Sequence, residues 1–286
     1  MSKAVRLWLA VAIAVVSWGG SWVSIRVAIR HFSPGQLAFG RYFIASLVLL
    51  PLLLRNRPRF ERRDWLPIFV SGVCGFSLYN LALNAGERTI SAGAAALIGS
   101  IIPVLVTLGA SLFLKHHVSR RALAGATISF SGVALLALGG QGGIQISPGA
   151  LLVVGAAFSA TAYQLIQIRL RPRYGALDLT AAAILSGTLS LLPLSGGLIG
   201  AIRAAPLSAN LHMIGLGVFP GALGYVLWSW ALSHMSVARV MSLLFLVSPC
   251  AVLLGWVFLR ELPSTLELCG GALALSGVIW CQTERK

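Results

Sequence analysis

The chain has 286 residues, 57% hydrophobic and only 10% charged, with 22 Lys and Arg against 7 Asp and Glu. Soluble domains carry about 25% charged residues, so a soluble globule is excluded and a lipid bilayer is the solvent this composition calls for. The net charge of +15 does not point to nucleic acid, because a nucleic-acid binder gathers its basic residues on one face of a soluble domain; here they fall in short gaps between apolar runs.

A membrane-crossing helix needs about 20 mainly apolar residues. Ten runs fit: 8–29, 35–54, 65–84, 91–114, 120–139, 148–168, 176–198, 211–233, 237–259 and 264–283. The first follows Lys3 and Arg6 as a signal peptide would. It continues through Trp18 and Trp22 to Ile29 without a small-x-small cleavage site, and reads as an uncleaved span. Connections are short, with Pro and Gly punctuation at Ser33-Pro34-Gly35, Arg57-Pro58-Arg59 and Ala205-Pro206. The four cysteines lie inside apolar runs without CxxC spacing, and read as small buried hydrophobes rather than a disulfide or metal site.

With the N-terminus inside, sixteen of the 22 Lys and Arg fall in inside segments and four in outside ones. This bias predicts that both termini are cytoplasmic, in the cell's inner membrane.

The chain repeats itself. Ile90–Lys115 is apolar with a lone Pro103, and Ser236–Glu261 echoes it with Pro249, 146 positions later. Gly75 and Tyr79 fall on Gly221 and Tyr225 at the same offset, and Gly125 and Gly132 on Gly270 and Gly277 at 145. Two halves follow, 1–140 and 141–286, each of five spans. Five is odd, so the second half enters the membrane the opposite way up. Inverted repeats of this kind mark transporters, whose substrate site lies near the midplane between the halves. The expected fold is all-α, ten transmembrane helices in two inverted five-helix repeats.

Ser17-Trp18-Gly19-Gly20-Ser21, Arg41 early in the second span, the central prolines, and the spaced glycines of LAGATISFSGVALL and LCGGALALSGVIW resemble the EamA-type ten-span members of the drug/metabolite transporter superfamily. The acid expected after the fourth span of each repeat is Glu261 in the second half, but Lys115 in the first. Within the superfamily the chain looks most like the amino-acid and metabolite exporters of the YddG type. The resemblance implies that spans 1, 3, 4, 6, 8 and 9 line a central cavity.

Several side chains suit that cavity. Helical spacing sets Gly72, Gly75 or Phe76, Tyr79 and Leu83 on one face of span 3, and Gly217, Gly221, Gly224 or Tyr225, and Trp228 on one face of span 8. Glycine beside an aromatic leaves room for a ligand, or for ordinary helix packing through small residues. Trp18, Ser21 and Trp22 are the span 1 counterpart. Gln164 and Gln167 are polar inside span 6 and must find partners or water; Gln164 is the cavity candidate, and Gln167 has solvent within reach at the cytoplasmic end. Asn84 reads as a helix-end residue. Arg26 and Arg41 either snorkel to the outer interface, or Arg41 faces inward to hold a carboxylate, that of a substrate or of Glu87. Pro103 and Pro249 each leave a carbonyl unpaired one turn earlier, which makes either a static kink or a gating hinge. Gly125, Ser129 and Gly132 should pack on Gly270, Ala274 and Gly277, cementing the halves within a monomer; a homodimer is the competing use of these faces.

No acid falls in the middle of a span and the histidines lie at span ends, so a buried proton relay is not expected. Nor is there the buried nucleophile, His cluster or acid pair that an enzyme needs. The expectation is a carrier without catalytic residues, cofactor or metal. It exports small metabolites, amino acids first, by alternating access; organic cations, drugs, sugars and nucleotide-sugars are the alternative cargo. Its expected partners are the small-molecule substrate and the bilayer.

Overall fold

The computed structural model describes residues 2–114, 120–140, 143–144, 147–235, 243–261 and 263–282. Lys115 and the start of the ninth apolar run lie outside these. Among the described residues seven helices are long and apolar enough to cross a membrane, and three shorter apolar ones complete ten. Span 1 is Lys3–Ala28, span 2 Pro34–Asn56, span 3 Arg62–Gly86 and span 4 Ala92–Gly99 with Ile102–Leu114. Span 5 is Arg120–Leu138, span 6 Pro148–Leu170 and span 7 Ala176–Leu191. Span 8 is Leu207–Leu232, span 9 Val247–Leu259 and span 10 Thr265–Gln282. A two-residue antiparallel pair, Gly139–Gly140 with Gly143–Ile144, lies between spans 5 and 6.

Spans 2, 4 and 6 begin alike. Ser33, Ser91 and Ser147 accept the N–H of Gln36, Ala94 and Ala150, and Pro34 and Pro148 follow their caps. The first N–H groups of a helix have no partner within it, so a cap worth about 1 kcal/mol fixes where each helix enters.

Spans 4 and 9 break where the proline pattern predicts. Span 4 stops at Gly99, turns at Ser100 and Ile101, and resumes with Pro103 as its second residue. Span 9 has a 3₁₀ turn at Leu244–Leu246, then an α-helix from Val247 that carries Pro249. Proline lacks an N–H and its ring collides with the carbonyl one turn earlier, so both helices yield just before it.

The repeat also appears in a feature that sequence rules do not reach. Span 3 widens to a π-turn at Val73–Leu78 and span 8 at Phe219–Leu223. Val73 and Phe219 are 146 positions apart, the offset that relates Pro103 to Pro249. Such turns are rare and concentrate at functional sites. Each is followed by a tyrosine, Tyr79 and Tyr225.

Spans 5 and 10 pack backbone against backbone. A Cβ on Gly132 would lie 2.3 Å from the Ala274 nitrogen, and one on Gly277 would lie 2.4 Å from that of Ser129. Ser129 Oγ donates to the Ala274 carbonyl at 2.7 Å.

Two expectations need correction. The link between spans 7 and 8 contains a short helix, Leu198–Ala204, entered through Gly197 at φ 73°; Leu198, Ala201, Ile202 and Ala205 pack it onto the main core. The cysteines are also less buried than expected: Cys74 and Cys250 are half-buried and Cys269 is exposed, all three as free thiols. In a bilayer an exposed thiol on an apolar helix costs little, so burial was not required.

Candidate substrate site

An aromatic cluster joins spans 1, 2, 3, 6 and 8. Phe76, inside the span 3 π-turn, packs edge-to-face on Tyr42 at 5.1 Å, Tyr163 at 5.2 Å and Tyr225 at 6.1 Å between ring centroids. Trp18 continues the chain of rings, 5.6 Å from Tyr225 and 5.1 Å from Trp228. The close approach of span 6 needs Gly75, whose Cβ would lie 2.6 Å from the Tyr163 ring. The Trp18 indole donates to the Pro220 carbonyl at 3.2 Å, a group that the span 8 π-turn presents.

The sequence candidates divide. Trp18, Tyr225 and Trp228 belong to the cluster. Tyr79 is half-buried beside it, packed on the main core. Trp22 is buried elsewhere, with its ring 3.0 Å from where a Gly99 Cβ would be; it fills the space beside the break in span 4. Gln164 is half-buried and makes no hydrogen bond among the described residues. Gln167 is fully buried, not solvated. Its amide donates to Ser71 Oγ at 3.4 Å, and its Oε1 has no partner among the described residues.

Arg41 faces inward. It is 6% exposed, donates Nη1 to Asn80 Oδ1 at 3.0 Å, and stands 4.8 Å from the Tyr42 ring centre. Asn80 donates in turn to the Tyr42 hydroxyl at 2.9 Å and the Phe76 carbonyl at 3.0 Å. No carboxylate bonds the guanidinium among the described residues, and its Nε is buried without a partner. Neutral groups therefore orient this cation and leave its charge uncompensated.

Three residues near the end of span 3 do more than the sequence assigned them. Asn80, Asn84 and Glu87 form a stripe at i, i+4 and i+7, all fully buried. Asn84 is no mere helix-end residue: it donates to the Pro34 carbonyl at 3.0 Å, tying span 3 to the start of span 2. Glu87 was placed in a connection, yet it is closed off with neither carboxyl oxygen bonded. No acid was expected in the middle of a span, and Glu87 keeps to that, lying just past the end of span 3; its burial is what the sequence did not announce. The spacing of three polar residues near one helix end was the available signal.

Arg26 does not snorkel freely: it pairs with Glu261 at 2.9 Å. At the opposite end of span 3, Asp64 accepts from Arg173 and, at 2.7 Å, from the Tyr174 hydroxyl. A separate groove of about 480 Å³ runs between spans 1 and 8, with Ser17, Ser21, Ser24 and His212 among its lining; His212 Nδ1 lies 3.2 Å from Ser24 Oγ.

Ten helical spans, breaks at matching prolines and π-turns at one offset define a membrane carrier built from two inverted five-span repeats. The chain belongs to the EamA-like transporter family, which it matches over residues 6–138 and again over 147–281; it is a transporter and not an enzyme. It is 35% identical to the "Probable terminal-alkyne amino-acid exporter" of Streptantibioticus cattleyicolor, over 98% of this chain and 93% of that one. It is 29% identical to the "Uncharacterized transporter YdfC" of Bacillus subtilis, over 96% of this chain and 90% of that one. A solved crystal structure shares the fold with a TM-score of 0.64 at 18% identity, covering 98% of this chain and 96% of that chain.

Proposed function

We propose that this transporter exports amino acids across the cytoplasmic membrane by alternating access, with both termini inside. The observation that carries the reading is Arg41, a buried cation held by Asn80 and Tyr42 with no carboxylate against it among the described residues. An uncompensated charge at membrane depth is costly, and such residues mark substrate paths. A substrate carboxylate supplies the missing charge, and the rings of Trp18, Tyr225 and Trp228 receive the side chain. The likeness to an amino-acid exporter supports the same cargo. A cationic drug would meet Arg41 as a like charge. A nucleotide-sugar would need more free cations, and Arg26 is engaged by Glu261.

The test is counterflow. Proteoliposomes preloaded with unlabelled amino acids should accumulate labelled amino acid at a saturable rate. A panel of zwitterionic amino acids that gives no counterflow, while an organic cation does, would overturn the reading.

Gating falls to the broken helices. The halves 1–140 and 141–286 swing about the site, and the segments of spans 4 and 9 beyond Pro103 and Pro249 close opposite ends of it. Pro103→Ala and Pro249→Ala restore a backbone hydrogen bond across each break. They should slow counterflow severalfold while changing equilibrium substrate binding less than twofold. Unchanged rates in both variants would make the prolines static kinks.

A further inference from the structure

We propose that Glu87 is a proton-binding site of the outer gate, and that its proton decides which carboxyl group Arg26 serves. One arginine ties four spans together. Arg26, near the end of span 1, donates Nε to Glu261 Oε1 at 2.9 Å and Nη1 to the main-chain carbonyl of Glu87, just past span 3. Glu261 follows span 9, and its second oxygen accepts the Ala92 N–H at the start of span 4, 3.1 Å away. Glu261 lies at the end of the span 9 segment beyond Pro249, so this knot holds that moving segment to spans 1, 3 and 4.

The Glu87 side chain sits at the knot and takes no part in it. It is fully buried, and neither oxygen has a protein donor among the described residues. A bare carboxylate in such a place costs several kcal/mol, so the group stays neutral. Burial pushes its carboxyl well above the usual carboxylate range. The charged groups that act on it are Arg26 from span 1, Arg41 from span 2 and Glu261 after span 9; the Tyr79 phenol on its own helix also interacts with it.

Loss of the proton places a second carboxylate beside Arg26. Arg26 already touches this residue's main chain, so the side-chain oxygens are within its reach. Glu261 is partly solvated, at 21% exposure, and keeps the Ala92 N–H as donor; Glu87 has no other donor. The guanidinium therefore turns to Glu87, the span 1 to span 9 contact lapses and the gate opens. The proton leaves the Glu87 carboxyl for water on the outer side and returns when the gate closes. The closed form binds the proton more tightly than the open form, where a hydrated Glu87 returns towards the ordinary glutamate value. Low pH therefore favours closure, and rising pH favours opening.

The test requires no substrate and so stands apart from the amino-acid reading. In a cysteine-free background, spin labels at Arg30→Cys and Thr265→Cys report the distance between the outer ends of spans 1 and 10, with span 10 following span 9. In wild-type protein the open-to-closed ratio should rise with pH, by up to about tenfold per unit where a single proton is lost. Glu87→Gln should stay closed at every pH, Glu87→Asp should titrate, and Glu261→Gln should be open throughout. The proposal is overturned if the wild-type distance ignores pH, if Glu87→Gln titrates as wild type does, or if Glu261→Gln stays closed. Should Glu87→Gln fail to fold, the wild-type titration and the Glu261→Gln distance still decide.

Discussion

Gly132→Val should unseat span 10 from span 5 and deprive the protein of its fold in detergent. In a bilayer, apolar side chains gain nothing by leaving lipid for each other, so helix pairs rely on close van der Waals packing. Here that packing is backbone on backbone: a Gly132 Cβ would lie 2.3 Å from the Ala274 nitrogen and 2.5 Å from the Gly270 carbonyl. No flexible side chain can yield, so the helices must separate. Overpacking a core with room to adjust costs about 1–3 kcal/mol, and this site has none. The hydrogen bond from Ser129 to Ala274 is the smaller contribution, since bonds between membrane helices average about 0.6 kcal/mol. Ser129→Ala should therefore leave a folded transporter, and Gly132→Val should not. Gly155→Ala is the matched control, because nothing lies within 4 Å of its Cβ position. Size-exclusion profiles after graded heating rank the three. A Gly132→Val protein as heat-resistant as Gly155→Ala would refute this account of the interface.

That interface was legible in the sequence because glycine at close spacing has few other uses in a membrane helix. The ten spans and the two breaks were legible for a similar reason: hydropathy and proline each act through one physical rule. Other features followed no such rule. A π-turn needs one extra residue of slack, which no residue type announces, so Val73–Leu78 and Phe219–Leu223 emerged only as geometry. Glu87 sits one residue past span 3, where hydropathy sees a loop; its burial is a product of tertiary packing, which hydropathy does not report. Gln164 and Gln167 differ by less than one helical turn, and polarity alone could not say which faced inward. For Arg41 a long side chain allowed both an outward and an inward path, and Asn80, one helix away, decides between them.

Arg41→Leu should raise half-saturation for amino acids by about 30-fold and stabilise the protein at once. A cation at 6% exposure with no carboxylate partner among the described residues is a desolvation cost that the free transporter carries. A shorter apolar side chain removes that cost, so the unfolding temperature should rise. The same change leaves a substrate carboxylate with no counter-charge in the site. Truncating one partner of a buried charge pair costs about 2–5 kcal/mol. The low end applies to a site that opens to water, and 2 kcal/mol raises half-saturation about 30-fold. Arg41→Lys keeps the charge but loses the geometry that directs one nitrogen at Asn80, so its affinity should fall between the two. Wild-type protein should prefer amino acids to the corresponding decarboxylated amines, and Arg41→Leu should lose that preference. The two measurements separate the roles. An arginine that merely held spans 2 and 3 together would lower the unfolding temperature on removal, and would leave the preference for carboxylates intact in whatever transport remained.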